Sequence, residues 1–202
     1  MVRPVGATHA ATYDAIREAA VRLIARYGFE AMTLRMLADE IGIQAGSLYH
    51  YFTSKQELLF MLLSEIMKDL LAQYDREVAP VADPAEQLAA FVRLHLDFHM
   101  RRKEEAFVGN TELRGLTPEH YREMTRLRDE YAAHLTGIIE RGVKAGLFRV
   151  TDARIAAFAS IAMLTGVCNW YRPDGRLSPV ELIRQYTEMA VRLLGAPGGK
   201  RS

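Results

Sequence analysis

Three segments of this 202-residue chain share one helix-start pattern, in which a capping side chain is followed by proline and then by glutamate. An aspartate, serine or threonine side chain there can accept bonds from the first N–H groups of a helix, and proline has no N–H to leave unpaired. The segments are Asp83-Pro84-Ala85-Glu86, Thr117-Pro118-Glu119 and Ser178-Pro179-Val180-Glu181. The pattern favours helices that begin at defined residues.

The rest of the chain agrees with an all-α fold, because no stretch alternates apolar and polar residues as a strand does. Ser54 with Glu57 forms a capping box, and Gly28 and Gly146 each follow a helical apolar pattern as a C-terminal cap. About nine helices are predicted, near 10–27, 33–40, 44–51, 54–78, 84–102, 104–114, 118–145, 152–171 and 179–194. The tail from Gly195 onward is predicted to be frayed.

Charge and cysteine content limit the classes of protein to consider. The formal net charge is +1, and within residues 1–60 six basic side chains are balanced by six acidic ones. A DNA contact would therefore depend on individually placed donors and not on a basic field. A single cysteine, Cys168, excludes an internal disulfide and a cysteine metal cluster. The uncharged run between Arg154 and Arg172 is short for a bilayer span, so a buried helix and a cytoplasmic protein are expected.

Residues 33–51 have the spacing of a helix-turn-helix. Thr33 can cap a short helix, Ala38 is small enough to stand where two helices cross, and Gly42 can adopt the positive φ of a tight turn. Ile43 and Leu48 would fill the space beneath the second helix. The outer side of that helix is small and polar, which suits exposure more than burial. A structural helical hairpin would show a similar corner.

The segment TLRMLADEIGIQAGSLYHYFTSKQELL, which begins at Thr33, resembles the signature of the TetR family of transcriptional regulators. The resemblance covers about the first 60 residues and departs from it at Ile43-Gln44, where many members have valine and serine. It implies a three-helix DNA-binding domain at 8–54, followed by a larger helical domain at 55–196 for effector binding and dimerisation.

The resemblance also implies roles for individual residues. Small and polar side chains on the second helix would read base edges in the major groove, where glutamine can pair with adenine. Side chains near helix starts would contact phosphates. The expected DNA-contact set is Thr33, Gln44, Ala45, Gly46, Ser47, Tyr49, His50 and Lys55. Tyr51 and Phe52 are instead expected to anchor the second helix, at least in part.

A homodimer that reads a palindromic operator is expected, because one short helix contacts too few base pairs to select a site in a genome. The helices at 152–171 and 179–194 are predicted to supply the interface. The first is apolar on nearly all sides, and the second carries an apolar stripe. The interface residues expected are Ile155, Phe158, Ala162, Leu182, Tyr186, Met189 and Leu193.

The second domain suggests a ligand pocket, although each of its aromatic residues could equally be ordinary core. ELRGLTPEHY and the later Asn169-Trp170-Tyr171-Arg172-Pro173 resemble TetR-type regulators that sense acyl-CoA thioesters. That resemblance implies an apolar site for the acyl chain and cations for the phosphates. A free fatty acid or an aromatic, drug-like ligand is the alternative. The candidate effector residues are Phe91, His95, Phe98, Arg114, Tyr131, Met163, Trp170 and Arg172.

Other classes of function find less support in the sequence. His95 and His99 have metal-ligand spacing but no evident third ligand, so neither a metal nor a cofactor is expected. An enzyme is not expected, because there is no nucleophile beside a base and no glycine-rich phosphate loop. A helical scaffold would require the pattern at residues 33–51 to be a coincidence. The expectation is a ligand-responsive DNA-binding regulator, with double-stranded DNA, a small effector and a second copy as partners and no membrane contact.

Overall fold

The computed structural model describes residues 5–195, with side chains from His9 onward, and contains helices but no strand within that range. The α-helices are α1 Val5–Tyr27, α2 Leu34–Ile41, α3 Lys55–Glu77, α4 Pro84–Arg101, α5 Lys103–Thr111, α6 Pro118–Lys144, α7 Ala153–Thr165, α8 Val167–Trp170 and α9 Pro179–Leu193. Two 3-10 helices, Ala45–His50 and Leu113–Gly115, complete the set. The all-α prediction is confirmed. The tail after Gly195 lies outside the described residues.

The predicted helix starts are confirmed by their hydrogen bonds. The Asp83 carboxylate accepts from the N–H groups of Ala85 and Glu86, both at 2.9 Å. The Ser178 hydroxyl accepts from the Glu181 N–H at 3.2 Å. At the other end of a helix, Gly146 has a φ of 73° and terminates α6. Local side-chain chemistry therefore sets where these helices begin and end.

The chain divides into two compact units. The first unit comprises the residues up to Ile66 together with Phe107–Met124. In it, α1 packs against α2, and α2 packs against the 3-10 helix Ala45–His50. Its fully buried side chains come from all of these elements and from α3, and include Ile16, Ile24, Leu37, Leu48, Leu58 and Leu59.

The second unit comprises Met67–Ala106 and the chain from Thr125 onward. α4 is its central helix and packs against α7, α8 and α9. Leu88, Phe91, Val92 and Leu96 of α4 are completely buried for this reason. The stretch Ala153–Trp170 is long and apolar enough for a membrane span, but only 33% of it is buried and it divides near Gly166 into α7 and α8. The predicted single helix 152–171 is therefore two helices, and its burial against a second copy stays a prediction.

Two further differences from the predicted elements have local causes. The predicted helix 44–51 is a 3-10 helix, in which Ser47 N–H donates to Gln44 O and Tyr51 N–H to Leu48 O, each at 2.9 Å. Glycine at position 46 and the absence of a side-chain cap at Gln44 weaken the longer α-helical alternative. The predicted helix 104–114 ends earlier, at Thr111, and Leu113–Gly115 forms a separate turn.

Candidate nucleic-acid interface and effector groove

The corner between α2 and the following 3-10 helix is built as its spacing predicts. Thr33 caps α2, and its hydroxyl accepts from the Met36 N–H at 3.1 Å. Gly42 has a φ of 70°, a conformation that costs any residue with a Cβ, and Ile43 N–H donates to Ala38 O at 3.0 Å. Ala38 is 1% exposed. The helix-turn-helix corner is therefore confirmed.

Residues 44–50, called the reading surface below, place their polar side chains outward. Leu48 is the one residue of this stretch that is fully buried, and Ser47 is half-buried. Gln44, Ala45, Gly46, Tyr49 and His50 are exposed, and Tyr49 is 58% exposed. A helix held by one leucine leaves nearly all of its other side chains available to a partner.

Aromatic packing beneath the reading surface fixes it to the first unit. Phe52 is 2% exposed, as expected of an anchor. The Tyr51 ring lies 4.5 Å from the His9 ring and 6.3 Å from the Tyr13 ring, measured between centroids. The Tyr13 hydroxyl donates in turn to Glu65 of α3. Burial, followed by that bond to Glu65, raises the pKa of Tyr13, so the hydroxyl stays protonated and keeps donating.

Lys55, a predicted phosphate contact, has partners inside the protein. Its ammonium donates to Glu30 O at 3.1 Å and lies 4.4 Å from the centre of the Phe29 ring. A phosphate would have to share this ammonium with the loop before α2. The side chain is half-buried, so the phosphate contact stays a prediction.

The capping box at the start of α3 is present in a modified form. Ser54 Oγ accepts from the Glu57 N–H at 3.1 Å, while the Glu57 carboxylate accepts from the N–H of Thr53 at 2.5 Å and from its hydroxyl. These bonds from Thr53 lower the pKa of Glu57. The carboxylate therefore remains charged and holds Thr53, which follows the reading surface, to the first turn of α3.

Arg35 is a candidate DNA contact that the sequence analysis missed. It is exposed in the first turn of α2, next to Thr33, and takes part in no ion pair among the residues with described side chains. Two other cations of the first unit are paired: Arg22 lies 3.6 Å from Glu40, and Arg17 lies 3.4 Å from Glu65. Although the formal charges of residues 1–60 sum to zero, Arg35 beside the reading surface is therefore available to contact a phosphate. The signal for it was the lone basic residue in the helix that precedes the turn.

In the second unit, four candidate effector residues form a buried cluster. Phe91, His95, Phe98 and Tyr131 are each at most 5% exposed. His95 Nδ1 lies 3.1 Å from the Tyr131 hydroxyl, and His95 Nε2 lies 3.1 Å from the Thr165 hydroxyl. Met163, a fifth candidate, is half-buried on α7. The cluster is apolar except for this bonded polar centre.

The two histidines of the cluster are uncharged at neutral pH. Burial lowers the pKa of His95, and His99 lowers it further. Burial also lowers the pKa of His99 to about 4, although its bond to His95 O opposes the change. The rings stack with centroids 4.0 Å apart, and in the part of the chain that the structure describes no three potential ligands gather as a metal site. The pair is a neutral element of the core.

A groove of about 230 Å³ lies where α8 ends and α9 begins. One wall presents Trp170, which is 52% exposed, and the groove also carries Arg172 and Arg176. Neither arginine is ion-paired with any described side chain. The lining is Trp170, Tyr171, Arg172, Gly175, Arg176, Leu177 and Leu182. Aromatic, aliphatic and cationic groups meet here, a combination that suits a planar anionic ligand.

Not every predicted effector residue joins this groove. Trp170 and Arg172 do, but Arg114 belongs to the first unit. Arg176 is a groove residue that the sequence analysis missed, and the turn Asp174-Gly175 just before it was the available signal.

The predicted interface residues fall into two groups. On α7, Ile155 is 67% and Phe158 43% exposed, and Ala162 is exposed one turn further along. On α9, Met189 and Leu193 are each 40% exposed. Leu182, by contrast, is 2% exposed and lines the groove, and Tyr186 is half-buried. The α9 stripe therefore divides between an inner face and an outer face, because α9 packs on both α4 and α7.

Two family models match the chain. The model described as bacterial regulatory proteins, tetR family, matches residues 16–62, and the model described as tetracyclin repressor-like, C-terminal domain, matches residues 81–194. The transcriptional repressor KstR2 of Rhodococcus jostii is 30% identical over 180 residues, which cover 88% of each protein. The fatty acid metabolism regulator protein of Bacillus subtilis is 26% identical, over 89% of this chain and 93% of that protein.

Solved structures agree with the same match. The regulator PfmR of Thermus thermophilus superposes with a TM-score of 0.80 at 32% identity, covering 88% of this chain and 97% of the other. AibR in complex with isovaleryl coenzyme A and operator DNA superposes with a TM-score of 0.82 at 28% identity, covering 88% and 96%. The residue ranges of the two family models include both the corner and the groove.

Proposed function

The chain belongs to the TetR family of transcriptional regulators, and from this premise we propose that it is a repressor released from a palindromic operator by an acyl coenzyme A thioester. Members of this family regulate transcription by binding DNA, so the class of this protein follows from the family. The operator, the effector and the direction of control are what we propose here. We propose cytoplasmic DNA as its target and a homodimer as its working form.

The observation that carries the proposal is the exposed polar reading surface held by a single buried leucine. Gln44 can accept and donate to an adenine, and Ala45 can meet a thymine methyl group. Thr33 and Arg35 stand beside the first turn of α2, where backbone N–H groups favour phosphate oxygens. Ser47, Tyr49 and His50 supply further donors. We infer that a domain near residues 8–54 presents these groups to the major groove.

The exposed apolar face of α7 and α9 supports the homodimer. Ile155, Phe158 and Ala162 recur at helical spacing, and Met189 and Leu193 do the same on the neighbouring helix. An exposed apolar face on two packed helices is energetically unfavourable in water, and a second copy would cover it. We infer that a two-fold pair of α7–α9 faces holds two reading surfaces at the spacing of successive major grooves.

The effector class is supported by the two parts of the second unit. We infer that the acyl chain would enter the second unit near the apolar cluster around Phe91 and Tyr131, while the groove offers Arg172, Arg176 and Trp170 to a phosphorylated base. A free fatty acid has one carboxylate and no base, so it would leave most of the groove unused. The Bacillus relative is named for fatty acid metabolism, and AibR is described with isovaleryl coenzyme A.

A binding experiment tests the proposal. Fluorescence anisotropy with DNA from immediately upstream of the coding sequence gives the operator affinity, and thioesters of increasing acyl length are then added. Operator affinity should fall with the thioester and not with the matching free fatty acid. By linkage, operator should weaken thioester binding by the same factor. Release by fatty acids or by aromatic drugs alone would contradict the effector class, and absence of sequence-specific DNA binding would contradict the role of the reading surface.

A further inference from the structure

The polar centre of the buried aromatic cluster joins three helices of the second unit through one imidazole. His95 of α4 lies with its Nδ1 3.1 Å from the hydroxyl of Tyr131 on α6 and with its Nε2 3.1 Å from the hydroxyl of Thr165, the last residue of α7. His95 and Tyr131 are at most 3% exposed, whereas Thr165 is half-buried. Of the three groups, the Thr165 hydroxyl is therefore the one that a ligand can reach first.

The Thr165 side chain is oriented differently from other hydroxyl side chains on the helices of this unit. A serine or threonine within a helix can bond to the carbonyl oxygen four residues earlier. Three do so here: Thr136 bonds to Ala132 O at 2.9 Å, Ser160 to Ala156 O at 2.8 Å and Thr187 to Ile183 O at 2.8 Å. The Thr165 hydroxyl instead meets a side chain of α4, because α7 packs on that helix.

The hydrogen-bond donors of the polar centre outnumber its bonds. Burial, and then the neighbouring His99, lowers the pKa of His95, so the neutral imidazole has one N–H and one acceptor nitrogen. Burial raises the pKa of Tyr131, so its phenol stays protonated. The imidazole and the two hydroxyls therefore bring three hydrogens to two bonds. Whichever nitrogen holds the proton, one hydroxyl hydrogen has no acceptor within the part of the protein that the structure describes.

Burial decides which hydroxyl keeps that hydrogen. With its proton on Nδ1, His95 would donate to Tyr131, and the phenol hydrogen would lack an acceptor at a residue that is only 3% exposed. A buried donor without a partner loses its hydration and gains nothing in return. With the proton on Nε2, Tyr131 donates to Nδ1 and His95 donates to the Thr165 oxygen. The second arrangement is favoured, and it leaves the remaining hydrogen on the half-buried Thr165.

We propose that the Thr165 hydroxyl donates a hydrogen bond to the effector, and that the acyl portion of the effector therefore carries a keto oxygen. A saturated acyl chain beside the cluster offers no acceptor and leaves this donor unpaired. A site that hydrogen-bonds one ligand discriminates against the analogue that lacks the bonding atom for this reason. The inference rests on the proposed function for the thioester class and adds the chemistry of the acyl group.

Calorimetric titration compares octanoyl coenzyme A with its oxo derivatives, in which the keto group is at carbon 3, 5 or 7. In the wild-type protein at least one oxo thioester should bind about 3- to 10-fold more tightly than octanoyl coenzyme A, as expected of one net hydrogen bond. In Thr165→Val, which keeps the shape of the side chain and removes the donor, the ratio of the two affinities should fall close to unity.

Thr136→Val is the matched control. Thr136 is a half-buried threonine of α6 whose hydroxyl already donates to Ala132 O, so the same change removes no donor from the polar centre. The preference for the oxo thioester should stay at its wild-type value in this variant. Equal binding of the saturated and all oxo thioesters by the wild type, or an unchanged preference in Thr165→Val, would overturn the inference and leave the effector class standing.

The tautomer of His95 provides a test without any ligand. Heteronuclear NMR of histidine-labelled protein distinguishes a protonated ring nitrogen from an acceptor nitrogen, and His95 should carry its proton on Nε2. A proton on Nδ1 would assign the remaining hydrogen to Tyr131 and would overturn the role of Thr165. If no thioester binds to the wild type at all, the effector class of the proposed function is wrong and the inference about the acyl group fails with it.

Discussion

The helix-turn-helix corner differs from the aromatic cluster and groove of the second unit in how far apart along the chain its bonded residues lie. At the corner, Thr33 bonds to Met36 and Ile43 bonds to Ala38, within a few residues. In the second unit, His95 bonds to Tyr131 and Thr165, which are 36 and 70 positions away, and Lys103 bonds to Tyr171, 68 positions away. The turn of the first site is formed by bonds between near neighbours, while the second site exists only when distant helices have docked.

This difference predicts which changes damage one site and spare the other. The largest effect is expected from Leu48→Ala, which removes the completely buried side chain that holds the reading surface. A loss of about 2–5 kcal/mol in the free energy of unfolding of the first unit is expected from the cavity. Operator binding should be lost with it. Thioester binding measured by calorimetry should persist, and its loss would show that the effector site also depends on the core of the first unit.

Acid should act chiefly on the second unit. The folded pKa of His99 is about 4 against an ordinary value of 6.5, so the unfolded chain binds a proton more readily than the folded one. The stability that neutral His99 contributes is fully present above about pH 6.5 and is lost as the pH falls towards 4. This shift corresponds to about 3 kcal/mol. Urea unfolding at pH 7 and pH 4.5 measures this loss in the free energy of unfolding. In His99→Gln, which keeps an N–H donor, the free energy of unfolding should change less between the two pH values. An equal change in that variant would refute the assignment of the loss to His99.

Changes at the exposed residues of the reading surface should weaken operator recognition without lowering the stability of the fold. Gln44 and Tyr49 are exposed, so Gln44→Ala with Tyr49→Ala should leave the melting temperature nearly unchanged. The loss of a paired base contact should cost about 1–3 kcal/mol in operator binding. Anisotropy with operator and with scrambled DNA measures the discrimination. Sequence-specific binding that survives both changes would show that the reading surface has been placed on the wrong residues.

The smallest effects on stability are expected from two threonine-to-valine changes, one at each site, which compare the two sites most directly. Thr33→Val removes the cap of α2, and Thr165→Val removes a partner of His95, each at nearly constant shape. Each should cost about 1 kcal/mol of stability. The first should weaken operator binding and the second should weaken thioester binding, measured in parallel titrations. If either variant changed both affinities equally, the two sites would not differ in the way described here.

The sequence predicted the elements whose causes are local. The caps at Asp83 and Ser178, the turn at Gly42 and the buried Ala38 were all recognisable, because each depends on a bond or a close approach between near neighbours. The exposure of Gln44 and Tyr49 followed from the same pattern. The helix predicted for residues 44–51 is present, but glycine and the missing cap favour 3-10 geometry over α-helical geometry in this short segment.

What only the tertiary structure decided is which side of each apolar helix faces inward. The sequence alone determined that α7 is an apolar helix and that α9 carries an apolar stripe, but the periodicity does not say which neighbour each face meets. α9 packs on both α4 and α7, so Leu182 turns inward while Met189 and Leu193 remain outside. The groove, its Arg176 and the bond from Lys103 to Tyr171 likewise required helices from distant parts of the chain to dock. Packing between distant segments depends on the summed fit of many side chains, and no short stretch of sequence contains that information.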